Sequence, residues 1–145
     1  MIRVLIADDH YLVRQGIRAL LNDAADIEVV GEAADGREVV QLARELNPDV
    51  VVMDISMPQL DGLAATTKLQ KCPSPPRVVV LSMYGNGNLV EQAIRSGALG
   101  YLLKRSTARE LVQAVRSAYA GNLFLGSNLS GDHVDSPFQR PSSRS

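Results

Sequence analysis

Two hydrophobic periods alternate along the first 121 residues, and this alternation restricts the fold more than any other feature. Ile2 to Ala7 is a continuous apolar run, as expected of a strand buried on both faces. It gives way over Tyr11 to Asn22 to Val13, Ile17, Leu20 and Leu21, which form one helical stripe. The pattern then repeats. Ile27 to Ala33 reads as extended, Val39, Leu42, Ala43 and Leu46 share a helical face, and Asp49 to Met53 is a third buried run. Leu60 to Gln70 is a weaker helix, because Gly62, Thr66 and Thr67 lower its propensity. Val78 to Leu81 is a strand. Leu89, Val90, Ala93 and Ile94 mark a helix that Gly97 can close in a left-handed turn. Gly100 to Leu103 is the fifth strand, and Leu111, Val112, Val115, Ala118 and Tyr119 line a last helix that starts near Thr107 and stops at Gly121. Five strands alternating with five helices predict an α/β, doubly wound, five-stranded parallel sheet with helices on both faces.

In such sheets a ligand site lies outside the carboxyl ends of the strands, so the residues there carry the functional information. Asp8 and Asp9 follow the first strand and Asp54 follows the third. Any one of them has a plain structural use as a helix cap. Three carboxylates in one pocket repel one another unless a cation neutralises them, and an all-oxygen donor set suits Mg²⁺. At the ends of the fourth and fifth strands stand Ser82, with a hydroxyl, and Lys104, with a mobile ammonium. Either residue alone is commonplace at a strand end. Beside the acids, both are placed to hold a phosphoryl group.

The chain resembles the receiver domains of bacterial two-component response regulators from Met1 to about Gly121. The likeness is carried by the Asp8-Asp9 pair, the stretch Met53-Asp54-Ile55-Ser56-Met57-Pro58-Gln59-Leu60-Asp61-Gly62, Ser82, and Gly100-Tyr101-Leu102-Leu103-Lys104. Tyr101 to Lys104, followed by Glu110-Leu111-Val112-Gln113-Ala114-Val115, is most similar to the NarL/FixJ (LuxR-type) class. The resemblance implies a flavodoxin-like (βα)5 fold with strand order 2-1-3-4-5. It also implies a switch in which a sensor histidine kinase donates a phosphoryl group to Asp54. Mg²⁺ would be held by Asp9, Asp54 and the Ser56 backbone carbonyl, with Asp8 acting mostly through water. Lys104 would bind a phosphoryl oxygen, Ser82 would hydrogen-bond the modified side chain, and Tyr101 would take an inward rotamer. The surface around the fourth helix, fifth strand and fifth helix would be the output face, serving a phosphorylation-dependent homodimer or a C-terminal DNA-binding domain that controls transcription.

Some features depart from this pattern or lie outside it. Arg105 follows Lys104 where many receivers carry a proline, which leaves the isomer of that peptide bond open. Gly85-Asn86-Gly87-Asn88 is rich in glycine and asparagine for a helix start, so mobility is expected there. From Asn122 the periodicity ends, and residues 122–145, rich in Ser, Gly and Pro, read as a linker or disordered tail. They are too few for a helix-turn-helix, so the chain reads as an isolated receiver or a natural stand-alone form that does not itself bind DNA specifically.

Fifteen basic and sixteen acidic residues leave a net charge of -1, without the overall field that gathers nucleic acid or anionic membrane. Cys72, the one cysteine, allows no internal disulfide, and no apolar run is long enough to span a bilayer or serve as a signal core. A cytoplasmic protein without membrane contact is expected.

Three other readings compete. An aspartate-based phosphatase or phosphotransferase would share the phosphoaspartate chemistry, but such enzymes usually carry a second acid two residues after the nucleophile, where Ser56 stands. A flavin-binding module needs hydroxyls or glycines at the first strand end, where this chain has two acids. A pseudo-receiver that only mediates contacts usually lacks the acids or the lysine. The chain is therefore expected to promote only its own phosphorylation and dephosphorylation.

Overall fold

A computed structural model describes residues 1–57, 59–127 and 129. In chain order the elements are β1 (Ile2–Ala7), α1 (Tyr11–Asn22), β2 (Ile27–Ala33), α2 (Gly36–Leu46), β3 (Val50–Asp54), α3 (Gly62–Leu69), β4 (Arg77–Ser82), α4 (Gly87–Arg95), β5 (Gly100–Leu103), α5 (Ala108–Tyr119) and β6 (Phe124–Leu125). All strand pairings are parallel, in the order β2-β1-β3-β4-β5-β6. The first five strands stand in the expected order of a flavodoxin-like receiver fold.

Among the described residues the sheet has six strands, not five. The sixth comes from the segment read as linker: Phe124 and Leu125 pair with Gly100 and Tyr101. Two residues are too short to show a period, and the pairing depends on an edge that exists only once β5 is in place.

Side chains alternate through the sheet and so supply two cores. Leu5, Val51, Met53, Val78, Val80 and Tyr101 face the side covered by α2, α3 and α4. Val4, Ile6, Val50, Val52, Val79 and Leu102 face the side covered by α1 and α5. β3 is buried along its whole length, and each of its three valines contributes roughly 1.5 to 3 kcal/mol of apolar burial.

Local chemistry sets the ends of the elements. Asp35 accepts from the Glu38 amide at 2.8 Å and Thr107 from the Glu110 amide at 3.1 Å, capping α2 and α5. Asp61 accepts from the Ala64 amide at 2.8 Å, so the weakly patterned α3 starts at a true cap. Gly97 (φ 115°) and Gly121 (φ 86°) end α4 and α5 in the left-handed region, as their positions predict. No cis peptide occurs among the described residues, so the Lys104–Arg105 bond is trans. Cys72 is free and half-buried. Among the described residues no helix is long and apolar enough to cross a membrane. Residues 130–145, most of the expected tail, lie outside the described residues, as does Pro58.

Candidate functional site

Parallel strands of matched register bring their carboxyl ends to one edge of the sheet. Asp8 follows β1 directly, and its amide donates to the Ala33 carbonyl at 3.0 Å, so it continues the ladder toward β2. Asp54 is the last residue of β3 and Ser82 the last of β4. Lys104 follows β5, with its amide bonded to the Ser82 carbonyl at 2.8 Å. Register alone therefore places the acids, the hydroxyl and the ammonium at neighbouring strand ends.

Asp8, Asp9, His10 and Asp54 each offer a ligand atom, and these atoms lie within 4.8 Å of one another. Asp8 is 1% exposed and Asp54 5%, whereas the Asp9 side chain is 31% exposed, so two carboxylates are sunk and the third faces solvent. Lys104 Nζ sits 2.8 Å from Asp8 Oδ2 and 3.2 Å from Asp54 Oδ2. Asp54 Oδ1 accepts from the Ser56 amide at 3.2 Å. Burial, followed by the Asp8 charge, pushes the Asp54 carboxyl above its ordinary range, although Lys104 pulls the other way. Burial disfavours the Lys104 ammonium, but Asp8 and Asp54 outweigh it and hold the lysine above its usual value.

The capping use considered for Asp8 and Asp9 does not apply. α1 has His10 at its N-cap position and no side-chain cap there. Asp8 Oδ1 instead accepts from the His10 amide at 2.8 Å, and His10 Nδ1 lies 3.2 Å from Asp8 Oδ1 and 3.0 Å from Asp9 Oδ1. Three clustered carboxylates with one ammonium between two of them fit a hard divalent cation, which relieves the repulsion that the lysine answers only in part.

Among the described residues Ser82 and Tyr101 make no hydrogen bond to the acids. They form a second cluster around Tyr84: the Ser82 hydroxyl oxygen accepts from the Tyr84 amide at 3.0 Å, and the Tyr101 hydroxyl donates to the Tyr84 carbonyl at 2.6 Å. Tyr101 is wholly buried, and burial pushes its phenol up despite the nearby Ser82 hydroxyl. Tyr101 is thus already inward in this structure.

Further residues hold the site in place. Arg14 donates through Nη1 to the Asp8 carbonyl at 2.7 Å and through Nε to Glu32 at 3.0 Å, tying the acid-bearing loop to β2. Gln15 and Arg18 also donate to Glu32, and these donors outweigh its burial and hold its carboxyl low. The glycine at Gly62 permits a close approach, because a Cβ there would lie 2.1 Å from the Asp54 carbonyl oxygen; its amide donates to Ile55 at 2.7 Å. Tyr84 acts through its backbone, which its residue type does not reveal.

Residues 4–116 match the response regulator receiver domain family. The transcriptional regulatory protein LiaR of Bacillus subtilis (strain 168) is 47% identical over 131 residues, which is 90% of this chain and 62% of LiaR. Among solved structures, a LuxR-family two-component response regulator from Aurantimonas sp. SI85-9A1 superimposes with a TM-score of 0.86 at 34% identity, covering 92% of this chain and 95% of that one. The signal receiver domain of the putative response regulator NarL from Mycobacterium tuberculosis gives 0.80 at 37% identity, covering 83% and 98%. The chain belongs to the response regulator receiver domain family. Its relatives are two-component regulators of the NarL/LuxR type, and it spans about three fifths of the length of the curated relatives it matches.

Proposed function

We propose that this chain is a phosphoacceptor switch that takes a phosphoryl group from a sensor histidine kinase onto Asp54. The observation that carries this reading is the Asp54 carboxylate itself: buried at a strand end, fixed by the Ser56 amide on one oxygen and Lys104 on the other, and facing two further acids. In the transfer, an Asp54 carboxylate oxygen attacks phosphorus in line, the P–N bond to the kinase histidine breaks, and the imidazole leaves with the bonding pair. Asp9, Asp54 and the Ser56 carbonyl would hold Mg²⁺, with Asp8 acting through water, and the ion would neutralise charge on the phosphoryl oxygens. Lys104 moves from the carboxylates to a phosphoryl oxygen, and Ser82 donates its hydroxyl to another. Tyr101 completes the switch by keeping the inward position that the loop at Tyr84 allows.

On this reading residues 1–121 hold the receiver's switch, and the segment from Asn122, whose Phe124 and Leu125 first close the edge of the sheet, leads on to a further domain of a longer protein. The output is assigned to α4, β5 and α5, acting through self-association or on a C-terminal DNA-binding domain that controls transcription. On this reading the chain is cytoplasmic and promotes only its own phosphorylation and dephosphorylation. Intact mass after incubation with Mg²⁺ and acetyl phosphate tests it: the wild type gains one phosphoryl group and Asp54→Asn gains none. An adduct on Asp54→Asn mapped to Asp8 or Asp9 refutes the assignment.

A further inference from the structure

The outer edge of β5 is where an output surface would be read, and it is already occupied. Phe124 donates its amide to the Leu99 carbonyl and Gly126 donates to the Tyr101 carbonyl, both at 2.9 Å. Phe124 packs into the core under α1 and α5, Leu125 into the core under α2 to α4. Gly126 passes so close to β5 that a Cβ on it would lie 2.6 Å from Leu102 Cδ2. Ser127 then hydrogen-bonds Glu110 of α5, and Leu129 packs onto the Tyr101 side of the core.

This strap meets the loop between β4 and α4 by two routes. Through Tyr101, the residue whose carbonyl holds Gly126 is also the one whose hydroxyl holds the Tyr84 carbonyl. At Gly85, the space a Cβ would take is 3.4 Å from Leu129 Cα and Cδ2, so Leu129 sits against the loop. The same loop begins at Ser82, whose hydroxyl oxygen holds the Tyr84 amide. The attachment is also weak enough to reverse. Phe124, Leu125, Gly126 and Leu129 are only half-buried, and Glu110 Oε1 beneath them is buried with no hydrogen-bond partner among the described residues.

We infer that residues 124–127 and 129 form a displaceable strap whose docking on β5 is coupled to the Ser82–Tyr84 loop, so that the output face is covered in this state and is uncovered when the loop moves. The inference rests on the phosphoacceptor reading for its trigger. Drawing the Ser82 hydroxyl toward a phosphoryl oxygen on Asp54 pulls along the Tyr84 amide that it holds; as the loop shifts, Leu129 loses its seat at Gly85 and the strap loosens around Gly126. Coupling of this kind is reciprocal: loosening the strap must loosen the loop.

Residue-resolved amide exchange on the 145-residue chain tests both directions. Without any phosphodonor, Leu129→Ser accelerates exchange at Gly126 and also at Tyr84 by about fivefold or more, while amides of β3 are unchanged. An unchanged Tyr84 amide in that variant overturns the coupling. With Mg²⁺ and acetyl phosphate, exchange at Phe124 and Gly126 rises in the wild type and stays at its resting rate in Ser82→Ala. Unchanged exchange in a chain shown by mass to carry the phosphoryl group overturns the release. A chain that gains no phosphoryl mass refutes the phosphoacceptor reading instead, and the Leu129→Ser comparison then decides the strap alone.

Discussion

Lys104 Nζ lies 2.8 Å from Asp8 Oδ2 and 3.2 Å from Asp54 Oδ2, so a single ammonium serves two buried carboxylates that would otherwise face each other uncompensated. Its removal strands both. Lys104→Met is expected to lower the unfolding free energy by about 3 to 5 kcal/mol, the range for breaking a buried pair from one side. Added Mg²⁺ should recover part of that loss by taking over the neutralisation. Urea midpoints with and without Mg²⁺ measure this, and a variant as stable as the wild type in metal-free buffer contradicts it.

Asp54 gives a pH signature of the opposite kind. Burial first, and then Asp8, raise its carboxyl above the ordinary 3.8 in spite of Lys104. A raised carboxyl means that the folded state holds its proton to higher pH than the unfolded chain does. Its contribution to stability is therefore complete below 3.8 and is lost as pH rises through the folded value. Asp54→Asn should melt above the wild type at neutral pH, with the gap closing as the pH falls toward 3.8. Melting curves across that range test it; a gap independent of pH would place the effect elsewhere.

The hydroxyl cluster separates acceptance from response. Ser82→Ala should still take the phosphoryl group at Asp54, because the Ser82 hydroxyl is engaged with the Tyr84 amide rather than hydrogen-bonded to Asp8 or Asp54, but residues 83 to 104 should lose most of their exchange response. Tyr101→Phe removes the bond to the Tyr84 carbonyl, at a cost of about 0.5 to 1.5 kcal/mol, without slowing labelling. Equal exchange responses in Ser82→Ala and wild type would remove Ser82 from the switch.

Two glycines provide a matched pair. A Cβ on Gly62 would lie 2.1 Å from the Asp54 carbonyl oxygen, so Gly62→Ala must displace the connection that carries Asp54. We expect a loss of about 1 to 3 kcal/mol, as for overpacked sites, together with slowed phosphoryl acceptance. Gly16, inside α1, has nothing within 4 Å of a built Cβ, so Gly16→Ala should gain about 0.5 to 1 kcal/mol from helix propensity. Chemical denaturation with labelling rates reads both; a neutral Gly62→Ala would show that the close approach is not required.

What the sequence disclosed and what it withheld divide along a physical line. β1 and β5 stand at the predicted residues because continuous apolar runs flanked by polar residues leave few alternatives. The strand ends bearing Asp8, Asp54, Ser82 and Lys104 followed from those runs, and the structure brings the acids and Lys104 together. The grouping of Ser82 with Tyr101 was not legible, because it passes through the amide and carbonyl of Tyr84, atoms that every residue carries. Nor was the pairing of Phe124 and Leu125, since nothing local in Asn122 to Ser127 prefers an extended form to a loop. Arg14 looked like an ordinary polar residue of an amphipathic helix; only the fold shows that its guanidinium reaches back to the Asp8 carbonyl.

The sixth strand also bears on the protein's behaviour in concentrated solution. Gly100-Tyr101-Leu102-Leu103 is apolar throughout, and without Phe124 and Leu125 alongside it would present unpaired amides and carbonyls at the rim of the sheet. Such an edge is a template for another chain's strand. The opposite rim needs no cover of this kind, because β2 carries Glu28 and Glu32 among its apolar residues. A chain ending at Gly121 would thus keep every residue of the acid pocket and still lose its protection against edge-to-edge aggregation, which makes the segment after α5 a solubility element in its own right.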